Sequence, residues 1–149
     1  MWQADITLKP MRRSDAEQWI AWLVSLRGQY GTFLLNDPLG CAPRGTATSA
    51  TITGSTGDSS VTVAMTGTLL AGDYIQLGTG TNARLHKVLQ DQNGNGTLEI
   101  WPALRADQAA VSADLTSAAG LFRLSSNEQS WSVNEASIYG ITFGAMEAL

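Results

Sequence analysis

The stretch Ser14–Pro38, SDAEQWIAWLVSLRGQYGTFLLNDP, constrains the fold more than any other part of the chain. It reads as one amphipathic helix with a marked start, a glycine stop, and a short apolar strand that runs into a proline. Ser14 followed by Glu17 has the spacing of a capping box: the hydroxyl accepts an orphan backbone N–H, and the carboxylate reaches back to the N–H of the cap. Asp15 and Glu17 fall at the positive end of the helix dipole. Ala16, Trp19, Ile20, Leu23 and Leu26 follow the three-four spacing of one apolar stripe, with Trp22 at its edge. Gly28 can take the left-handed conformation that ends a helix, and Arg27 is predicted in the last turn beside the negative end. Residues 29–36, with Tyr30, Phe33, Leu34 and Leu35, are predicted as a strand buried at Phe33 and Leu35. Asp37-Pro38-Leu39-Gly40 then reads as a turn.

A helix with one apolar stripe needs a sheet to cover. Trp2, Ala4, Ile6 and Leu8 alternate with Gln3, Asp5 and Thr7, which is the period of a half-buried strand, and Pro10 ends it. From about Ala47 the composition shifts to Thr, Ser, Gly and Val. Strands are predicted near 47–53, 60–65, 73–77, 84–89 and 97–101, with turn residues between them. This middle region reads as a small barrel or sandwich built from hairpins. Residues 102–115 look less regular. A last β-region is predicted at 120–125, 130–133 and 137–143. The simplest arrangement joins the two ends of the chain. Residues 1–45 and 115–149 then form a base domain, a β-barrel or sheet carrying the helix, and residues 46–114 form an inserted all-β barrel. The expected class is mainly β, of α+β type.

Bulk composition narrows the function. Of 149 residues, 44% are hydrophobic, enough to bury a core, and 15% are charged, below the usual share of about 25%. A surface this poor in charge suits a protein that is partly covered by others, although ordinary β-domains share it. A net charge of −4 argues against a general nucleic-acid binder, which needs a basic face. Arg12 and Arg13 are a local basic exception. No apolar run approaches the length of a membrane span, and the N-terminus lacks the pattern of a signal peptide, so the chain is expected to stay soluble in the cytoplasm where it is made.

Few residues suggest site chemistry. The lone Cys41 cannot form an intrachain disulfide and reads as a small, partly buried side chain. The lone His86 lies in a predicted strand and has no second histidine at zinc-site spacing. Asp91-Gln92-Asn93-Gly94-Asn95-Gly96 matches the first half of a calcium loop, but Pro102 stands where the bidentate glutamate belongs. Its Asn-Gly pair reads better as a hairpin turn. Gly78-Thr79-Gly80-Thr81 lacks the lysine of a phosphate-binding loop and also reads as a turn. Asp5 and Glu17 could meet, but nothing makes them converge. No catalytic, metal or cofactor residue is assigned. The tryptophans are read mainly as core. Trp22 and Trp101 are the exceptions, because tryptophan is enriched in subunit interfaces.

Five segments together carry a resemblance: Trp2–Leu8, Met11–Ala16 (MRRSDA), Trp19–Leu23 (WIAWL), Ser25–Gly28 (SLRG) and Gly31–Pro38 (GTFLLNDP). Three more lie in the middle region, Leu69–Leu77 (LLAGDYIQL), Arg84–Val88 (RLHKV) and Leu98–Arg105 (LEIWPALR). This pattern resembles the tail-tip proteins of long-tailed bacteriophages and prophages, the distal tail proteins and their minor-tail relatives. The resemblance implies a ring-forming structural protein of the virion tail, usually hexameric, assembled in the host cytoplasm. Such a ring joins the tail tube to the tip hub or host-binding apparatus. Expected partners are therefore other copies of the chain, the tail-tube protein, and hub or tape-measure-associated proteins, with no nucleic acid, membrane insertion or cofactor. Members often carry a further region ahead of the tryptophan strand. The resemblance therefore implies either a preceding segment or a strand donated by a neighbour in the ring.

Ring contacts are head-to-tail, so two different patches must meet. One is expected on the helix side and one at the edge of the terminal sheet. The interface candidates are Trp22, Arg12, Arg13, Tyr30 and Trp101. Two other functions compete. One is a carbohydrate-binding module of a phage adhesion device, using the inserted barrel and Trp101. The other is a tail-associated hydrolase, for which no triad, metal cluster or paired carboxylates can be named.

Overall fold

The structure, a computed structural model, describes all residues from Met1 to Leu149. In chain order the elements are β1 (Gln3–Thr7), β2 (Met11–Arg12), α1 (Arg13–Ser25), β3 (Thr32–Leu35), β4 (Ala50–Gly54), β5 (Ser60–Met65), β6 (Thr68–Leu69) and β7 (Tyr74–Leu77). They continue with β8 (Arg84–Val88), β9 (Gln92–Asn93), β10 (Gly96–Trp101), β11 (Gln108–Ala113), β12 (Gly120–Leu124), β13 (Trp131–Val133) and β14 (Ile138–Glu147). Short 3-10 turns follow α1 at Gly28–Tyr30 and β7 at Gly80–Asn82. The protein is mainly β with one α-helix. Two compact units are present: Met1–Phe33 with Phe122–Leu149, and Leu34–Leu121. The division falls further out than the composition break placed it, because the chain crosses between units inside β3 and β12 rather than in the connectors beside them.

The first unit is a sheet with a helix on one face. β14 is its central strand. β1 and β2 pair with one side of it, and β12 and β13 with the other, with β3 beyond β12. Ile141 and Phe143 of β14 meet Ala16, Ile20 and Leu23 of α1, and Leu26 at its C-cap, in one core, joined by Leu124 and flanked by Ile6, Leu8, Met11, Trp22, Phe33 and Tyr139. The alternation of β1 appears as drawn from sequence: Gln3, Asp5 and Thr7 are exposed while Ala4 and Ile6 are half-buried.

Four local expectations are corrected. The helix starts at Arg13, and the capping position is Arg12, which makes no side-chain capping bond. The Ser14–Glu17 box is not used; Glu17 instead accepts from the Arg13 guanidinium at 3.4 Å. Pairing explains the early start, since Arg12 is held extended opposite Ile138 of β14 and the chain turns helical directly after it. Trp19 leaves the buried stripe and is exposed. Arg27 lies beyond the last helical turn, in a left-handed conformation that continues into Gly28 at φ +68°. Tyr30 belongs to the 3-10 turn, not to the strand, which is shorter than predicted and half-buried at Phe33 and Leu35.

The second unit is a six-stranded, nearly closed sheet in the order β11-β4-β5-β10-β8-β7. Closure comes from Gln76 of β7 and Asp114 just after β11, whose backbones exchange two hydrogen bonds of 2.9 Å. β5 shows why the sequence makes this barrel: Val61, Val63 and Met65 point in while Ser60, Thr62 and Ala64 point out. With Ile52, Ile75, Leu77, Val88, Leu98, Ile100 and Leu115 they form one continuous core. Residues 102–115 are more regular than expected, because β11 occupies half of them. A bulge between Gln108 and Val111, with Ala110 at φ +52°, breaks its alternation.

Candidate interaction surfaces

The five interface candidates do not form one site. Arg12 closes β2 and Arg13 opens α1, and both are exposed. Trp22 sits more than two turns further along and is half-buried. Its ring packs edge-on against Phe33 and Phe143, with centroids 5.1 and 5.9 Å away, and against Trp19 at 5.8 Å. Trp22 is thus a wall of the helix–sheet core, and Trp19 is the helix tryptophan that faces outward. Tyr30 is 86% exposed, the most open aromatic of the first unit. Trp101 belongs to the barrel unit and is also exposed.

Around Trp101 the strand register builds a row that the sequence did not reveal. Tyr74 of β7 and Trp101 of β10 both pair with Lys87 of β8. Directly opposed residues share a face, so the three side chains stand in line on the outside of the barrel. The Lys87 ammonium lies 4.5 Å from the Tyr74 ring centroid and donates to the Tyr74 hydroxyl at 3.1 Å. The residues are far apart in sequence, and only knowledge of the pairing would have aligned them.

The polar residues singled out from sequence are used inside the fold. His86 is buried in the barrel, and its Nδ1 lies 2.7 Å from the Pro102 carbonyl. A carbonyl only accepts, so Nδ1 carries the proton. In the Asp91–Gly96 segment, Asp91 Oδ1 accepts from the Ala71 N–H at 2.8 Å and Asn95 Oδ1 accepts from the Met65 N–H at 2.9 Å. The oxygens of this half-loop thus serve two separate backbone segments, and β9 runs through its middle to pair with β6. Cys41 is half-buried in the connector after β3.

The A-G-D turn carries a clamp. Asp73 is buried, and its carboxylate accepts from the N–H groups of Arg44, Gly45 and Leu70 at 2.8, 3.1 and 2.8 Å. Arg44 closes the clamp with a guanidinium 3.8 Å from Asp73 and a hydrogen bond to the Ala71 carbonyl. Asp107 and Asp114 are the two carboxylates held below the usual range by hydrogen bonds to the charged form. Asp107 accepts from the backbone and hydroxyl of Thr56, and Asp114 accepts chiefly from the Ser117 N–H, then from Thr116 and both hydroxyls. Each of these groups organises a turn. No three His, Cys, Asp or Glu side chains stand together where they could hold a metal ion.

What remains on the surface is apolar contact area and sheet edge. In the first unit Trp19, Val24, Tyr30, Trp131 and Val133 are large and exposed. β13 exposes all three of its residues and pairs only with β14. A shallow groove runs beside it, walled by Leu8 and Pro10 on one side and by Trp131 and Ser132 on the other, over Gly140 and Thr142. The sequence signal for this edge was present but small: Trp131-Ser132-Val133, bracketed by Glu128 and Glu135. No helix is long and apolar enough to cross a membrane. No model of a known protein family matches the chain, and no curated protein sequence matches it.

Proposed function

We propose that the chain is a structural protein of a phage tail tip, forming a homo-oligomeric ring that connects the tail tube to the tip hub or host-binding apparatus. The observation that carries this reading is the sheet of the first unit. It is covered by α1 on one face only, and it leaves apolar side chains and unpaired strand edges on its margin. Surfaces of that kind mark protein contacts. The segments that resemble tail-tip proteins, Trp2–Leu8, Met11–Ala16, Trp19–Leu23 and Gly31–Pro38, take in β1, β2, most of α1 and the start of β3 in this same unit. The turns of the barrel unit are closed by Asp73, Asp107 and Asp114, which leaves these groups to architecture.

The test is electron microscopy of the purified chain mixed with assembled phage tail tubes. Rings seated on tube ends are the expected result. Tubes with bare ends, in the presence of folded protein, would overturn the reading.

A second reading, a carbohydrate-binding module of an adhesion device, is favoured by one observation, the outward row of Tyr74, Lys87 and Trp101. An exposed indole beside a cation can stack on a sugar face and hydrogen-bond its hydroxyls. Glycan-array binding lost in Trp101→Ala would support it, and an array without signal would remove it.

A further inference from the structure

The sheet of the first unit has two edges at the same level of β14. On one side Met11 faces Tyr139 and Arg12 faces Ile138, and the Leu8 N–H donates to the Ile141 carbonyl at 3.0 Å. On the other side Val133 faces Tyr139 and Trp131 faces Ile141. Met11, Tyr139 and Val133 therefore form one row across the sheet, with Leu8, Ile141 and Trp131 in the next. Neither β1 and β2 nor β13 has a second strand partner.

These level edges carry opposite charge. The β1–β2 edge bears Lys9, Arg12 and Arg13, all exposed. β13 is bracketed by Glu128 and Glu135, both exposed. Asp5 is the one acidic side chain of β1 and lies further along, opposite Gly144. β13 also has no lysine, proline or bulge, the features that blunt a free edge.

We infer that the β13 edge of one copy adds to the β1–β2 edge of the next, so that the sheet continues from copy to copy. The occupant of each edge is a second copy of this chain. β1 and β13 both run antiparallel to β14, so they are parallel to each other, and a rotation that keeps strand direction brings them together as parallel neighbours. The two patches differ, so the contact is head-to-tail and closes into a ring when the rotation allows. A symmetric β13-to-β13 dimer is disfavoured, because it would set the glutamates of two copies against one another. This contact deepens the ring reading above, on which it rests for its biological setting.

The test uses the full chain in sedimentation at low salt. Lys9→Glu with Arg12→Glu makes both edges acidic and leaves the Arg13–Glu17 pair intact. Glu128→Lys with Glu135→Lys makes both edges basic. Each variant alone is expected to lose self-association by about tenfold or more, and an equal mixture of the two is expected to regain it. Circular dichroism confirms that both variants fold. Wild-type assembly that both variants reproduce, or losses that mixing does not rescue, would overturn the contact and leave the ring reading standing. Charge-dependent association into open filaments would support the contact and overturn the ring. A wild-type chain that stays monomeric at every concentration would overturn both.

Discussion

Trp2 and Glu147 tie the two ends of the chain together by a reciprocal pair of hydrogen bonds. The Glu147 N–H donates to the Trp2 carbonyl at 2.9 Å, and the Trp2 N–H donates to the Glu147 side-chain Oε2 at 3.1 Å. Glu147 is buried despite its charge. Removing its carboxylate leaves a partly buried N–H without this acceptor, a loss of about 1–3 kcal/mol. Glu147→Ala is expected to lower stability by that amount in urea denaturation. Glu147→Gln, which keeps an acceptor oxygen, should lose less.

Trp22 and Trp19 separate core from surface on a single helix. Trp22 contacts three rings, and truncating such a side chain costs about 3 kcal/mol. Trp22→Ala should therefore destabilise the first unit by about 2–4 kcal/mol. Trp19→Ala and Tyr30→Ala should each cost less than about 1 kcal/mol. Thermal denaturation of the three variants would show the split. Equal losses would mean that Trp19 is packed as tightly as its neighbour.

Gly28 and Gly94 share a φ of +68° but differ in what surrounds them. A Cβ at Gly28 would sit 2.9 Å from the Asn127 Cα, whereas one at Gly94 would meet nothing within 4 Å. Asn127 also accepts the Gln29 N–H at 2.9 Å, so it cannot move away without loss. Gly94→Ala is expected to cost about 1–2 kcal/mol, the left-handed penalty alone. Gly28→Ala should cost clearly more in the same denaturation measurement.

Asp114 gives the turn after β11 an acid-sensitive support. Its folded-state carboxyl is held below the ordinary value by the Ser117 and Thr116 bonds. A depressed carboxyl contributes stability that is fully present above the ordinary range. That contribution is lost as pH falls through the folded value, below about pH 4. Asp114→Asn should therefore flatten the acid limb of a stability-versus-pH curve while leaving its slope near neutrality unchanged. An unchanged acid limb would show that Asp114 does not contribute.

Local pattern predicted well where local physics decides. The ends of β5 were read as they stand, because strict alternation was flanked by turn residues. The helix was found from its stripe, and Gly28 from its position after it. Local pattern misled where a distant strand decides. Ser14 and Glu17 have capping-box spacing, yet pairing of Arg12 with Ile138 starts the helix two residues earlier. The two-residue strands β2, β6 and β9 are too short to leave a period, and the bulge at Ala110 hid β11. The same reason limits the candidate site. Arg12 and Arg13 could be suspected from charge alone. That the neighbouring Met11 and Leu8 lie level with Val133 and Trp131 across β14 depends on a register between residues more than a hundred positions apart.

The central claim is that copies of this chain close into a ring. Native mass measurement of the full chain over a concentration series tests it most directly. The account predicts a single closed stoichiometry, a hexamer by the resemblance to tail-tip proteins, that persists on dilution to its dissociation point. A monomer at every concentration, with native circular dichroism, would contradict it.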